Sequence, residues 1–312
     1  MTAPHPPGFA PGGCKFIATD GRRWRCLFSS GYKRSTRSDA SRAEHASSNY
    51  RSMALGNQSW HDPEANAFGS HDFADFAQEF LRRNPAYRQA VSSAQGQADL
   101  IQSSTHEALA NPWGLCCFFD PDASPREKPA LWRPACHPAI LEIRCSTDSA
   151  PALLPQGYDP LAEFKSGNAH HLVLAMAAYR LRLCLWQAPG QQSPAMILLK
   201  DRSLAVRLAA AGHYARICKE QIAPPRPPCQ PSPYQRRALV RLLQINDAMA
   251  AGATCRDIAS TIVFPNHECL SGMAWKGSAE RRHCWRLIGQ ARRLQHGGHV
   301  RLLALARSVG KG

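Results

Sequence analysis

The chain contains no apolar run near the 18 or so residues that a bilayer-spanning helix needs, because Arg180 and Arg182 interrupt the longest candidate. No apolar core follows Met1, so no secretory signal is read there, and disulfides are not expected among the 12 cysteines. Those cysteines are scattered and never form Cys-x-x-Cys. His267, Cys269, His283 and Cys284 are the one grouping a zinc ion could use. Helical neighbours such as His283 and Cys284 point about 100° apart, however, and Cys284 falls in an apolar stripe, so no metal is expected. A Gly-rich phosphate loop, Gly-x-Ser-x-Gly and His-Glu-x-x-His are all missing. Asp120-Pro121-Asp122 reads as a turn rather than an acid pair. His170-His171 reads as the start of a strand rather than a pair of ligands. Neither catalysis nor a cofactor is expected.

Negative charge is also scarce. There are 23 Asp and Glu against 38 Lys and Arg, a net charge of +15 and a pI near 9.6. The imbalance is uneven. Residues 61–233 carry 16 of each sign, whereas 234–312 carry 13 basic and 4 acidic residues. Mixed signs would keep a surface soluble equally well, so concentrated positive charge on one small module points to a polyanion.

What is present in that module is helical periodicity. Over 234–249, Leu239, Leu242, Leu243, Ile245 and Met249 recur on one face, with Pro231 and Pro233 ahead of the start and Gly252 beyond the end. A second helix starts at Thr254, where Thr254-x-x-Asp257 resembles a capping box with Asp in place of Glu, and breaks at Phe264-Pro265. A third starts at Ser278 with Glu280 in its first turn. Its apolar stripe is Cys284, Leu287, Ile288, Ala291 and Leu294, and its opposite stripe is Arg282, Arg286, Gly289 and Arg293. Gly289 is unfavourable in a helix interior, so it is there either for packing or for the close approach of another surface. His296-Gly297-Gly298 ends the helix, and a short amphipathic tail follows over 300–305.

A basic helix of this kind is expected to dock on double-stranded DNA. Arg282, Arg286 and Arg293 would form the docking face, and Arg281 and Arg292 would reach phosphates. Arg256 would come from the second helix, while Arg236 and Arg237 would clamp backbone. Phosphate and base contacts both use arginine, so the sequence does not choose the base-reading residue. The rival reading is a non-enzymatic helical adaptor whose basic face, with Trp285 beside Gly289, binds an acidic protein in a secretion or conjugation system.

The module resembles a bacterial family, the RovC-like DNA-binding domain of type VI secretion transcription factors. The resemblance rests on Gln235-Arg236-Arg237, on Ala251-Gly252-Ala253-Thr254 with Arg256-Asp257-Ile258-Ala259, and on Trp275 and Ser278. It continues through Arg281, Trp285-Arg286-Leu287-Ile288, Ala291-Arg292, Leu294, Gly297-Gly298 and Leu302-Leu303. Family members often carry an N-terminal regulator-like segment. Phe80-Leu81-Arg82-Arg83-Asn84-Pro85, Trp113-Gly114-Leu115 and Trp132-Arg133-Pro134 look like that segment. The resemblance implies a bacterial DNA-binding transcriptional regulator of a kind often associated with proteobacterial mobile elements, working in the cytoplasm at the nucleoid.

The remaining chain completes an α+β expectation: a mixed body with a small antiparallel sheet, then an all-α helix-turn-helix-like domain. Residues 1–60 read as a disordered basic arm, or as sequence upstream of a start at Met53. Residues 61–222 form the body. Helices are expected from Phe73, Phe76, Ala77, Phe80 and Leu81, and from Ala86 to about Ile101 after Pro85. Strands are expected at 115–119, at 140–143, in 171–186 and at 197–199. The stretch 204–208 reads as a strand or as the start of a helix reaching Cys218. Arg82, Arg83 and Arg88 are expected in surface salt bridges. Residues 223–233 are a Pro-rich linker, and 234–312 the DNA-binding domain. A homodimer is one use for the body; sensing a ligand or recruiting polymerase are others. No membrane partner is expected.

Overall fold

Helix α1 (Phe73–Arg82) is the element on which the rest packs. Its apolar residues repeat at helical spacing, and Asp72 caps it through a capping box with Asp75. The computed structural model describes residues 68–95, 103–155, 159–176, 180–219, 229–268 and 270–304, all within one compact unit spanning 57–312. The expectations for 1–60, for a helix continuing to Ile101, for 223–228 and for Leu305 lie outside the described residues.

Amphipathic spacing implies one wet face for α1, yet the helix is buried on every side, from Phe73 through Leu81. Its polar residues each meet a partner, which is what buried polar groups require, and those of Asp75 and Gln78 come from distant parts of the chain. Asp72 and Asp75 pair with Arg182, and Asp75 also pairs with Arg180. Gln78 donates to the Lys128 carbonyl at 2.8 Å and accepts from the Ala130 amide at 2.7 Å. Glu79 meets Arg82 and Arg83. Burial raises the Asp72 carboxyl, and the Arg182 charge together with hydrogen bonds from Arg182 and the Asp75 amide more than reverses this, so it lies below the usual carboxylate range. Burial and the Asp72 charge push Asp75 up. Arg82, Arg83 and Arg88 do form salt bridges as expected, but Arg83 is no surface pair: it joins α1 to Asp247 at 2.6 Å.

Helix α2 (Pro85–Gln95) follows the Pro85 break, and its Tyr87 is fully buried with its hydroxyl donating to the Phe119 carbonyl at 2.9 Å. Helix α3 spans Ser103–Ala110. The strand expected at 115–119 does not join the sheet. Leu115 forms an isolated antiparallel bridge with Trp132, and the Cys116 amide donates to the Leu131 carbonyl at 2.8 Å. Gly114, at φ 79°, sets up that corner, where a Cβ would lie 3.3 Å from Cys136 Sγ. Asp120-Pro121-Asp122 is a turn, with the Asp122 amide donating to Asp120 Oδ1 at 2.9 Å.

The sheet holds β1 (Leu141–Cys145), β2 (Pro160–Ser166), β3 (Ala169–Ala175), β4 (Arg180–Gln187) and β5 (Ala195–Ile197), in the order β2-β3-β4-β1-β5. Three of its pairings are antiparallel as expected, but β1 and β4 run parallel, so the sheet is mixed. The chain between β1 and β4 supplies the crossover that a parallel pair needs. Alternation along β4 sorts its two faces. Leu181, Leu183 and Leu185 pack with Ala211 and Tyr214 of α4 (Leu204–Cys218), while Arg182 and Cys184 face the other way. The ambiguous 204–208 stretch is therefore helix.

The C-terminal helices are α5 (Pro233–Ala250), α6 (Cys255–Ile258, continued by a π-helical turn over Ala259–Val263), α7 (Gly272–Gly277), α8 (Ala279–Arg293) and α9 (His299–Ala304). Composition marks a border at 223–233, but burial crosses it: Phe76, Phe80 and Leu115 share one core with Leu243, Ile245, Cys284, Ile288 and Leu303.

Candidate nucleic-acid interface

Three helices make the C-terminal surface, and each starts where the sequence provides a cap. Ser232 caps α5 and Thr254 caps α6, both with complete capping boxes, and Ser278 caps α8. Helix α8 buries Cys284, Ile288 and Ala291 and leaves Leu287 half-buried. Burying such side chains is worth roughly 1.5–3 kcal/mol for an isoleucine, so this stripe fixes which side of α8 faces out. The Cys284 thiol donates to the Cys255 carbonyl at 3.2 Å, joining α8 to the first turn of α6, and Asn246 on α5 donates to the Ala291 carbonyl at 3.3 Å. Burial, and then contact with Cys255, raises the Cys284 thiol well above its ordinary value.

The outward side of α8 carries Arg282, Trp285, Arg286, Arg292 and Arg293, all exposed, with Gly289 among them. Arg281 is half-buried, and its side chain donates to the Lys276 carbonyl at 3.1 Å; Arg282 donates likewise to the Gly277 carbonyl at 3.0 Å. Arg286 lies 2.9 Å from His283 Nδ1. Burial lowers the His283 pKa, and the charges of Arg286 and Arg241 lower it further. Arg241 on α5 therefore adds positive charge near His283 of α8. It is exposed, and sequence reasoning assigned it no role, although its spacing four residues after Arg237 is the signal that would have found it. Arg256 is exposed in the first turn of α6 and lines a shallow cleft with Trp275 and Glu280.

The pair at the start of α5 splits. Arg237 is exposed, whereas Arg236 is half-buried and turned into the protein. Its guanidinium donates to the carbonyls of Phe68 and His71, the latter at 2.8 Å, and lies 6.0 Å from the centre of the Phe76 ring. A backbone-clamping Arg236 was expected; the structure gives this side chain to the body instead.

Of the four residues weighed for zinc, Cys269 lies outside the described residues. His267 and His283 each approach the Phe264 ring, at 5.5 and 5.8 Å between centroids. Among the described residues no group of three or more His, Cys, Asp or Glu is placed to hold a metal ion. No described helix is long and apolar enough to cross a membrane.

Comparison with known proteins bears on this surface directly. Residues 197–304 match the family model described as the type VI secretion system transcription factor, DNA-binding domain. Residues 59–118 match that of a proteobacterial transcriptional regulator-like domain. No curated protein and no solved structure matches the chain. The two matches indicate a bacterial transcriptional regulator with a DNA-binding domain.

Proposed function

We propose, from a DNA-binding domain over 197–304 and a regulator-like segment over 59–118, that this protein regulates transcription by docking α8 on double-stranded DNA in a helix-turn-helix-like manner. The observation that carries the reading is the outward stripe of α8. Arg282, Arg286 and Arg293 are exposed on the side opposite the buried Cys284, Ile288 and Ala291. Such a stripe is held by the core yet forms no ion pair with an acidic side chain among the described residues, as phosphate binding requires. Arg281 and Arg292 flank it, and Arg237, Arg241 and Arg256 extend the positive field onto α5 and α6.

The test is fluorescence anisotropy of the full chain with a random-sequence duplex at low and near-physiological salt. Binding should weaken steeply with salt. Arg286→Ala should reduce the log–log slope by about 0.9, the share of a single phosphate. A slope and affinity untouched by Arg286→Ala would remove α8 from the interface. The adaptor reading draws on a different feature: Trp285 is 47 % exposed and Met273 79 %. An absence of DNA binding at low salt, with capture of an acidic protein that Trp285→Ala abolishes, would favour it.

A further inference from the structure

Gly289 has no structural reason to be glycine. It lies inside α8, without the positive φ that would exclude a side chain. A Cβ there would touch only the far end of Arg293, at an ordinary 3.5 Å. The packing explanation therefore fails, and the residue keeps a helix weaker than alanine would make it. Its surroundings are specific. Trp285 and Arg286 lie one turn before it on the same side, Arg292 and Arg293 one turn after.

We infer that Gly289 is the point of closest approach between α8 and the floor of the DNA major groove, and so a specificity-determining position. This inference rests on the DNA reading above. A helix with its side chains is about 10–12 Å across and the groove about 12 Å wide, which leaves little slack along the line facing the bases. A residue without a side chain on that line lets the backbone sink. Arg286 and Arg293, one turn to either side, can then extend fully toward base edges, where guanine offers two acceptors to one guanidinium. A methyl group at 289 holds the helix away and shortens both reaches at once.

Gly212 provides the control. It too lies inside a helix, α4, without positive φ, and a Cβ there would meet only Arg216 at 4.0 Å. Gly289→Ala and Gly212→Ala should each raise the melting temperature of the full chain, by about 3 °C. Binding should separate them. The measurements use a duplex pool with a randomised core, and the sequences that the unaltered protein enriches from that pool. On the enriched sequences Gly289→Ala should bind about tenfold more weakly, the size of one bidentate pairing with a base, while Gly212→Ala binds as the unaltered protein does. Equal affinity of Gly289→Ala and the unaltered protein overturns the inference and leaves the DNA reading standing. An equal drop in both variants overturns it as well. Failure of the unaltered protein to bind any duplex with salt dependence overturns the DNA reading itself, and the inference falls with it.

Discussion

Replacing Arg182 with methionine tests whether the ion cluster between α1 and the sheet is a working part of the core. The Arg182 side chain is 5 % exposed, and its carboxylate partners Asp72 and Asp75 are 5 % and 1 % exposed. Methionine fills similar space and removes the charge. Two buried carboxylates would then face each other with only Arg180 on Asp75. Breaking a buried pair from one side costs about 3–5 kcal/mol, because the abandoned charge stays desolvated. For a body of this size each kcal/mol is about 2–4 °C, so the melting temperature should fall by about 6–20 °C.

The deficit should depend on pH, with a definite sign. Arg182 is what brings Asp72 below the usual carboxylate range against its burial, and Asp75 is already raised. Without Arg182 both folded-state values rise above their unfolded ones. A carboxyl raised on folding loses stability as pH climbs from its unfolded to its folded value, so the penalty is full at high pH and relieved by acid. The gap between Arg182→Met and the unaltered protein should be narrower at about pH 5 than at about pH 8 in circular-dichroism melts. Replacing Arg182, Asp72 and Asp75 together by apolar residues should restore much of the stability. A deficit under about 1 kcal/mol, or one of equal size at both pH values, would refute the reasoning.

Acid should unfold the protein in two stages. Burial and then the Arg182 charge bring His137 down to about 4, so its contribution is complete above its ordinary 6.5 and is lost as pH falls toward 4. Burial raises Glu79, but His71, 3.8 Å away, and the Arg83 and Arg82 charges bring it to about 2, so its contribution is lost between 4.5 and about 2. The raised Asp75 carboxyl opposes the first stage, gaining stability as pH falls, so that stage is checked with a His137→Gln variant, whose urea midpoint should fall less than that of the unaltered protein between about pH 6.5 and 4; an equal fall would contradict this, as would a Glu79→Gln variant that keeps the full drop below about pH 4.5. Arg236→Ala should lower stability by about 1–3 kcal/mol, because the His71 carbonyl would lose its side-chain donor and the Phe68 carbonyl would keep only the His71 amide at 3.2 Å. It should also leave the salt slope of DNA binding unchanged, and a slope reduced as in Arg286→Ala would show that Arg236 does meet phosphate.

Local signals made the helices legible, while distant partners decided what was not. Thr254-x-x-Asp257, Ser278 with Glu280 and the periodic apolar residues of α1 all act within a few residues, and the structure places those helices where they indicate. The wet face assigned by period to α1 is dry because its partners, Lys128, Ala130, Arg180 and Arg182, lie some 50 to 110 residues away. Strand β2 escaped notice because its burial alternates only weakly at an edge of the sheet. Within the site, the outward stripe of α8 followed from helical period alone. The inward turn of Arg236 did not, since it depends on carbonyls 165 and more residues away. The packing alternative for Gly289 could be set aside only once its neighbours were known.

Whether the helices of the DNA-binding domain stand alone turns on the same long separations in sequence. Composition suggests that residues 230–312 could be cut out as a domain, but the contacts that hold their inner side come from the other segment. Asp247 on α5 is bound by Arg83, and the Asn84 side chain donates to the Gln295 carbonyl at 2.9 Å. His137 Nδ1 lies 3.3 Å from the Leu303 carbonyl, and His299 Nε2 lies 3.4 Å from that of Trp113. Leu243, Ile245, Leu302 and Leu303 are buried in a core completed by Phe73, Phe76, Phe80 and Leu81. Cutting at 230 would uncover the side of those four side chains that α1 covers, at up to roughly 1.5–3 kcal/mol for each one fully returned to water. That total is comparable with the roughly 5–15 kcal/mol by which a typical domain is stable at all. The 230–312 fragment should therefore melt without a cooperative transition and bind a hydrophobic dye, while the full chain does neither. A fragment that melts cooperatively near the temperature of the full chain would show that α1 covers the C-terminal helices without holding them together.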